Sequence, residues 1–204
     1  MTKLNEKAIE HLLKDKILSK IIKSNTLPVR NTKDDVYISL LGSIVSQQLS
    51  TKAAATIYDR FINLFENQLP TPENLIKISA EELRAVGLSN QKASYIKNIA
   101  EHFLQNPRDK KYWNKKSDDE IIQELTSIKG VGVWTVQMVL MFTLKREDVF
   151  PINDLIIRNS VIKYYKITHQ GKEQLKVIEK IVSKWSPYKS IACYYLWAAK
   201  DGLK

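Results

Sequence analysis

Apolar residues recur at intervals of three and four along most of the 204-residue chain, which is the spacing of amphipathic helices. Near the N-terminus, apolar positions from Leu4 to Ile21 keep this spacing and predict one helix over residues 4–23. No run alternates between apolar and polar residues as a strand does, and the six prolines and six glycines fall mostly between the helical segments. The pattern therefore predicts an all-α fold of about ten helices.

Capping residues and helix breakers predict where the other helices begin and end. Ser50 and the capping box at residues 117–120 are typical helix starts, the second leading into the helix before residue 125. Residues 25–32 are predicted to form a connector, and residues 107–116, which include Trp113, a charged surface loop. Further helices are predicted over residues 34–45, 50–65, 72–78, 80–86, 90–105, 154–165, 171–184 and 187–200, the last opened by Pro187.

The stretch Leu-Thr-Ser-Ile-Lys-Gly-Val-Gly-Val-Trp-Thr at residues 125–135 predicts a helix end, a tight turn and a new helix start. Its two glycines allow positive φ and leave no side chain between the turn and a ligand. The amides that open the next helix lack intrahelical acceptors and lie at the positive end of its dipole, which favours a phosphate. An ordinary αα-hairpin explains an isolated Gly-x-Gly turn better, but here apolar residues flank the turn on both sides.

The composition is that of a globular protein with an excess of positive charge. Hydrophobic residues make up 44% of the chain, charged residues make up 26%, and the net charge is +10. The charge favours a polyanion partner, although a lysine-rich proteome would give a similar surface. The single Cys193 excludes an intrachain disulfide and a four-cysteine iron–sulfur cluster. No apolar run approaches the ~20 residues of a membrane span, so a cytoplasmic location is expected.

Two motifs together resemble the helix–hairpin–helix DNA glycosylases, most closely their alkyl-base branch of the 3-methyladenine II type. The first is Leu-x-x-Ile-x-Gly-Val-Gly-x-Trp-Thr at residues 125–135, and the second is Asp-Val-Phe-Pro-x-x-Asp-Leu at residues 148–155. Asp154 follows Gly130 by 24 residues, which matches the family spacing. A Gly-Leu-Ser-x-x-Lys-Ala block at residues 87–93 extends the similarity.

The resemblance implies two helical domains with an active-site cleft between them. The central domain would span residues 36–149 and contain the helix–hairpin–helix motif at about residues 118–144. Both chain ends, residues 1–35 and 150–204, would form the second domain.

The resemblance assigns catalysis to Asp154. Breaking an N-glycosidic bond builds positive charge on the sugar, and a preorganised carboxylate beside C1′ stabilises that charge or activates the attacking water. Taken alone, an aspartate between a Pro-containing turn and an apolar helix is more simply an N-cap. The two roles are compatible, because a cap position holds the carboxylate rigidly. Asn153 and Asp148 are weaker candidates, since only Asp154 matches the family position.

The resemblance also implies a base pocket formed by Trp134, Trp197 and Met138. Relatives that cut the strand have a lysine at the position of Trp134, and this lysine attacks C1′. The tryptophan therefore implies an enzyme that only removes bases. Met138 stands where some relatives have tyrosine. Core packing is the alternative for Trp134 and Met138, because a Trp/Met stripe on a helix is more often core.

The hairpin is implied to bind DNA phosphate through Lys129, Gly130, Val131, Gly132, Val133 and Thr135. No cofactor is expected, apart from a possible monovalent cation on hairpin carbonyls such as those of Thr126, Ile128 and Val131. The three histidines are too scattered along the sequence to suggest a metal site.

Gln48 and Leu49 lie at a predicted helix break, where relatives insert a side chain into the space left by a flipped base. Polar capping of a helix end is an equally good explanation of this position. Ser50, Lys52 and Arg158 are possible phosphate contacts, and Arg158 is alternatively an ion-pair partner of Asp154 one helical turn away.

The expected function is that of a monofunctional DNA glycosylase acting as a monomer on double-stranded DNA with damaged bases. It would flip and excise alkylated purines such as 3-methyladenine and 7-methylguanine in base excision repair, without lyase activity. A non-catalytic helix–hairpin–helix DNA-binding protein is one alternative. A glycosylase for oxidised guanine or a mismatched pyrimidine is another. DNA as the partner would associate the cytoplasmic protein with the nucleoid.

Overall fold

The computed structural model describes residues 3–27 and 35–199, and for residues 3–5 it describes the backbone alone. Every regular element in this part of the chain is helical, which confirms the all-α prediction. A π-helical turn, Val139–Thr143, extends the helix that begins at Val133. The helices are α1 (Lys3–Leu12), α2 (Lys16–Ser24), α3 (Val36–Ser46), α4 (Thr51–Ile62), α5 (Pro72–Lys77), α6 (Ala80–Ala85), α7 (Asn90–Gln105), α8 (Lys110–Lys115), α9 (Asp118–Thr126), α10 (Val133–Met138), α11 (Leu155–Tyr164), α12 (Gly171–Val182) and α13 (Lys189–Ala198).

The chain divides into two compact units. The central unit is Thr32–Leu144, and the terminal unit combines Met1–Asn31 with Lys145–Lys204. The hairpin between α9 and α10 belongs to the central unit, whereas Asp154 belongs to the terminal unit.

Helices α3 and α7 form the core of the central unit. Leu40, Leu41 and Ile44 of α3 are completely buried, as are Ile96 and Ile99 of α7. Each such side chain contributes about 1.5–3 kcal/mol when it is removed from water. α7 packs against α3, α5 and α6.

The terminal unit is built around α11 and α13, which pack against each other, while α2 packs against α13. One polar cluster lies beside this core. The carboxylate of Asp15 accepts hydrogen bonds from the hydroxyl of Tyr165 at 2.7 Å and from the indole nitrogen of Trp185 at 3.2 Å. Trp185 is buried, so this carboxylate satisfies an indole donor that would otherwise be costly to enclose.

The single helix predicted over residues 4–23 is wrong, because the chain forms α1 and α2 with a break at Asp15. Asp15 is the N-cap of α2, and its Oδ1 atom accepts the amides of Ile17 and Leu18. The same carboxylate anchors Tyr165 and Trp185, so tertiary partners favour the cap over a continuous helix. The side chain of Leu4, and the part of the predicted connector that follows Leu27, lie outside the described residues.

Two further predictions are corrected. The segment predicted as a charged surface loop contains the short helix α8, in which Trp113 is buried and packs edge-on against Tyr112. The last helix begins at Lys189 rather than at Pro187. Its first amides find acceptors in the loop before α11: Asp148 accepts the amide of Lys189, and the carbonyl of Glu147 accepts the amide of Ser190.

Candidate active site

The hairpin between α9 and α10 is closed by its own backbone. The amide of Ile128 donates to the carbonyl of Leu125, and the amide of Val131 donates to the carbonyl of Ile128 at 3.0 Å. Ile128 and Val131 are buried and anchor the turn, while Lys129 is exposed. Because the amide of Val131 is already bonded within the turn, that amide is a poor candidate for a phosphate ligand.

The two hairpin glycines have different roles. Gly130 has φ +105°, whereas Gly132 has φ −95° and is the N-cap of α10. A Cβ atom on Gly130 would lie 2.2 Å from Cγ of Tyr95, and a Cβ on Gly132 would meet nothing within 4 Å. Gly130 is therefore required for packing inside the unit, and the open approach to the first turn of α10 is at Gly132.

Helix α7 packs against the hairpin through two side chains that lie one turn apart. The ring of Tyr95 fills the space beside Gly130, and Nδ2 of Asn98 donates to the carbonyl of Lys129 at 3.0 Å. Neither residue belongs to the motifs that predict the site. Their spacing of three residues was the only available signal, since it puts them on one stripe of a helix.

The side chain of Trp134 is 40% exposed, and that of its neighbour Val133 is 43% exposed. This exposure argues against the core alternative for Trp134. Met138, one turn further along α10, is half-buried. The side chain of Thr135 is buried, so only its backbone amide remains a candidate for binding phosphate. α10 thus has a buried face, with Val136 fully enclosed, and an exposed aromatic at its start.

The predicted wedge lies in the turn between α3 and α4. Gln48 has φ +58°, a left-handed conformation that is uncommon for a residue with a side chain. Both Gln48 and Leu49 are exposed. Ser50 caps α4, since its hydroxyl accepts the amide of Ala53 at 3.3 Å. The capping of α4 therefore falls to Ser50 and not to Gln48, and Lys52 is exposed in the first turn of that helix.

Asp154 has the structural role that its sequence context predicts. It is the N-cap of α11, where its Oδ1 atom accepts the amide of Ile157 at 2.9 Å. The indole nitrogen of Trp197 donates to the same oxygen at 3.3 Å, and Asp154 is only 8% exposed. The structure thus brings together two of the predicted site residues. Burial, with a smaller contribution from the charge of Asp154, raises the pKa of the neighbouring Cys193 thiol.

The loop that leads to Asp154 is fastened to the start of α13. The buried hydroxyl of Ser190 accepts the amide of Val149 at 3.0 Å and donates to the carbonyl of Arg146 at 2.7 Å. The carboxylate of Asp148 binds Ser186 and the ammonium of Lys189. Asp148 is thus engaged in holding the loop, which weakens it further as a catalytic acid. Asn153 is exposed.

Arg158 follows Asp154 by one turn of α11. Its amide donates to the carbonyl of Asp154 at 2.9 Å, as in any helix.

Exposed apolar side chains flank both candidate elements. Val133 and Trp134 follow the hairpin in the central unit, and Leu155 and Ile156 follow Asp154 in the terminal unit, with Leu155 62% exposed. Exposed apolar residues next to polar functional groups are typical of binding surfaces.

Within the described ranges, no cluster of three or more His, Cys, Asp and Glu residues is arranged to hold a metal ion. The carbonyl of Ile128 accepts the amide of Val131 and retains a second lone pair, so the hairpin backbone is compatible with a monovalent cation. No helix in the described part of the chain is both long and apolar enough to span a membrane.

An all-α chain with a Gly-x-Gly hairpin and a buried N-cap aspartate has the features of a helix–hairpin–helix protein. A profile of the HhH-GPD superfamily of base excision DNA repair proteins matches residues 41–187. The chain belongs to this superfamily.

Individual relatives agree with this assignment. The chain is 39% identical to DNA-3-methyladenine glycosylase 1 of Schizosaccharomyces pombe, covering 81% of the chain and 72% of the relative. It is 31% identical to the DNA-3-methyladenine glycosylase of Saccharomyces cerevisiae, covering 93% and 78%.

Solved structures are similar over almost the whole chain. The S. pombe 3-methyladenine DNA glycosylase in complex with abasic DNA superimposes with a TM-score of 0.81 at 34% identity, covering 95% of this chain and 97% of that one. The DNA-3-methyladenine glycosidase of Bacillus halodurans gives a TM-score of 0.79 at 34% identity, covering 96% and 90%.

Proposed function

We propose that this protein is a monofunctional DNA glycosylase that flips an alkylated purine out of duplex DNA and hydrolyses its N-glycosidic bond. The observation that carries the proposal is the buried carboxylate of Asp154, held by the amide of Ile157 and the indole N–H of Trp197. The family membership supports base excision repair. The names of two yeast relatives support alkylated adenine as the substrate class. One copy of the chain is proposed to act on one lesion.

In this proposal Asp154 stabilises the positive charge that develops on the sugar as the glycosidic bond breaks. A carboxylate that is already oriented needs no reorganisation when the charge appears, and it therefore lowers the barrier more than a mobile one. The same group orients the water that attacks C1′. The cap bond from Ile157 and the fastened loop at Ser190 support this role, because both restrict the motion of the carboxylate.

Trp134, Trp197 and Met138 are proposed to contact the flipped base. Alkylation at purine N3 or N7 makes the base cationic, and an indole face attracts a cation by about 0.5–2 kcal/mol. The 40% exposure of Trp134 supports a role in contacting a ligand. A cationic purine also leaves as a neutral molecule, so the reaction requires no strong general acid. 3-Methyladenine and 7-methylguanine are therefore the proposed substrates.

Binding of the duplex is assigned to backbone amides and basic side chains. The first amides of α10 would hold a phosphate at the open side of Gly132, with Lys129 alongside. Ser50, Lys52 and Arg158 are proposed as further phosphate contacts, and Gln48 or Leu49 as the wedge that fills the space left by the flipped base. A monovalent cation on the carbonyls of Thr126, Ile128 and Val131 is part of the same proposal.

The absence of lyase activity is proposed from Trp134, which stands where strand-cutting relatives carry a nucleophilic lysine. Lys129 lies in the hairpin and is assigned to phosphate.

A panel of duplexes, each with one lesion, tests the proposal when base release and strand cleavage are scored separately. We expect release of 3-methyladenine and 7-methylguanine, intact strands until heat or alkali is applied, and no covalent adduct after borohydride treatment. Binding without release of any base would instead support the non-catalytic alternative. Preferred release of 8-oxoguanine or of a mismatched pyrimidine would support a different lesion class, and an efficient borohydride adduct would contradict the monofunctional assignment.

A further inference from the structure

The turn that carries Gln48 and Leu49 follows the C-terminus of α3, where the last carbonyls have no intrahelical donors. The chain itself satisfies two of them. The amide of Gln47 donates to the carbonyl of Ile44, and the amide of Leu49 donates to the carbonyl of Ser46, both at 3.3 Å. The carbonyls of Val45 and Gln47 accept hydrogen bonds from a side chain elsewhere in the chain.

That donor is Lys92, which lies 45 or more residues away in the first turn of α7. Its ammonium donates to the carbonyl of Val45 at 2.8 Å and to the carbonyl of Gln47 at 2.7 Å. A positive charge at a helix C-terminus also complements the helix dipole. The two carbonyls lie on either side of Ser46, and the second belongs to the residue before Gln48. A single side chain therefore holds the backbone that carries the wedge residues.

The surroundings of Lys92 fit a positioning role better than a role in binding phosphate. In the part of the chain that the structure describes, the hydrogen-bond acceptors of its ammonium are two backbone carbonyls, and the ammonium forms no ion pair with a carboxylate. The ammonium is partly buried, and this burial lowers the pKa of Lys92. An ammonium drawn inward to two carbonyls is not presented to a polyanion.

The conformation of Gln48 shows why the turn needs such support. Its φ of +58° is disfavoured for a residue with a side chain, and such conformations persist only where the surroundings over-determine them. Gln48 and Leu49 are exposed, so their own side chains contribute little to holding the turn. The hydrogen bonds on either side of Gln48 therefore set its direction.

We propose that Lys92 is a positioning residue for the duplex wedge, and that its ammonium orients Gln48 and Leu49 for insertion when a base is flipped. This inference rests on the proposed function, because a wedge has a task only if a base leaves the stack. It predicts that Lys92 matters when the lesion must be extracted from a paired duplex and matters little when the lesion is already unstacked.

The experiment compares single-turnover excision of 7-methylguanine paired with cytosine and of the same lesion within a short mismatched bubble. Lys92→Met keeps the aliphatic stem and removes the donors. We expect excision from the paired duplex to fall about tenfold, the order expected when a hydrogen-bonded carbonyl loses its donor, while excision from the bubble stays within about twofold. Lys92→Arg should restore the paired rate, because a guanidinium can donate to both carbonyls.

Lys97 provides a matched control on the same helix. Its ammonium donates to the carbonyl of Ile76 at 3.4 Å, on a segment remote in sequence from the wedge. Lys97→Met should leave the ratio of paired to bubble rates unchanged. Retained activity on the bubble also establishes that each variant is folded.

Equal losses of Lys92→Met on both substrates, or no loss on either, would overturn the inference. A separate measurement distinguishes this failure from failure of the proposed function. A duplex with an abasic-site analogue and a neighbouring 2-aminopurine reports unstacking by fluorescence without any excision. Suppose that the wild-type protein releases no base but unstacks this duplex, and that Lys92→Met does not unstack it. This result would refute the glycosylase proposal and support the positioning role of Lys92. Equal fluorescence changes for the wild type and Lys92→Met would refute the positioning role of Lys92.

Discussion

At the scale of single residues, Asp154 has a structural task and a proposed chemical task that one substitution separates. Asp154→Asn keeps an oxygen that can accept the amide of Ile157, but it removes the negative charge. We expect the barrier to base excision to rise by about 2.7–4 kcal/mol, the usual loss for a preorganised charge-stabilising group. DNA affinity should stay within a few-fold, because the proposed phosphate contacts are untouched. Single-turnover excision and a binding titration measure the two effects.

Asp109 offers a matched control, because it is also an aspartate N-cap, accepting the amide of Tyr112 at 2.8 Å in the central unit. Asp109→Asn should leave excision at the wild-type rate. Near-normal turnover of Asp154→Asn would remove the carboxylate from the mechanism.

The hairpin glycines give a second prediction at this scale. Gly132→Ala adds a methyl group in open space at an ordinary φ, so the thermal stability should change little while affinity for undamaged and damaged duplex falls to a similar extent. Gly130→Ala meets the ring of Tyr95 and requires φ +105°, so it should destabilise the protein by about 1–3 kcal/mol. Thermal melts and titrations at several salt concentrations measure both. Loss of affinity confined to damaged DNA would count against a phosphate clamp at Gly132.

The same residues show what sequence can predict about a site. The Gly-x-Gly pattern indicates a tight turn because the need for glycine is local. It cannot tell which glycine is needed for packing, since a side chain at Gly130 would collide with Tyr95, which lies on α7 and is distant in sequence. The Gly-Leu-Ser-x-x-Lys-Ala block contains Lys92 but cannot show which carbonyl its ammonium binds. That carbonyl belongs to Val45, which is distant in sequence.

At the scale of the elements, the junction between α1 and α2 makes stability depend on pH. Burial opposes the charge of Asp15, but hydrogen bonds from Leu18, Tyr165, Trp185 and Ile17 together lower its pKa. A carboxyl group whose pKa is lowered by folding stabilises the protein above the unfolded value, which is about 3.9 for aspartate, and loses this contribution as the pH falls through the folded value.

Asp15→Asn should therefore reduce the free energy of unfolding at neutral pH, and the difference from wild type should shrink as the pH falls below about 4. Denaturant titrations followed by tryptophan fluorescence at several pH values measure the difference, and Trp185 provides a nearby probe. Asp59→Asn, on the exposed surface of α4, is the control and should show no such trend. A constant difference between Asp15→Asn and wild type down to pH 3 would contradict this account.

Helix boundaries were predictable where the stop and start signals are local. Ser89 caps α7, and residues 90–105 form the predicted helix. The break at Asp15 was missed because the apolar spacing continues through it, and only Tyr165 and Trp185, far along the chain, favour the cap. The charged residues around Trp113 predict a surface loop, whereas its side chain is buried against tertiary neighbours that the local sequence does not show.

At the scale of the whole molecule, the fold class and the family were predictable because helical periodicity and motif residues are properties of short stretches. The net charge of +10 favoured a polyanion partner without identifying it, and the motifs supplied the rest. The lesion range is harder to predict from sequence, because it depends on how a few side chains surround one base.

Trp197 allows the lesion range to be tested with two substitutions. Its indole nitrogen bonds the carboxylate of Asp154, and its ring stacks near Tyr194, with centroids 6.3 Å apart. Trp197→Phe keeps an aromatic face and removes the N–H, so it should slow excision of cationic and neutral bases by a similar factor. Trp197→Leu also removes the face, so it should lower excision of 7-methylguanine relative to neutral hypoxanthine. The extra loss should be about two- to thirtyfold, corresponding to a cation–π contribution of about 0.5–2 kcal/mol.

The measurement is single-turnover excision of both bases from otherwise identical duplexes, with wild type and Trp134→Leu alongside. Trp134→Leu should shift the ratio in the same direction as Trp197→Leu, because both indoles are assigned to the flipped base. A ratio that neither leucine variant changes would show that the indole faces do not select for charge. In that case, preference for alkylated purines would reflect only their weaker glycosidic bonds, and Trp197 would act solely by orienting Asp154.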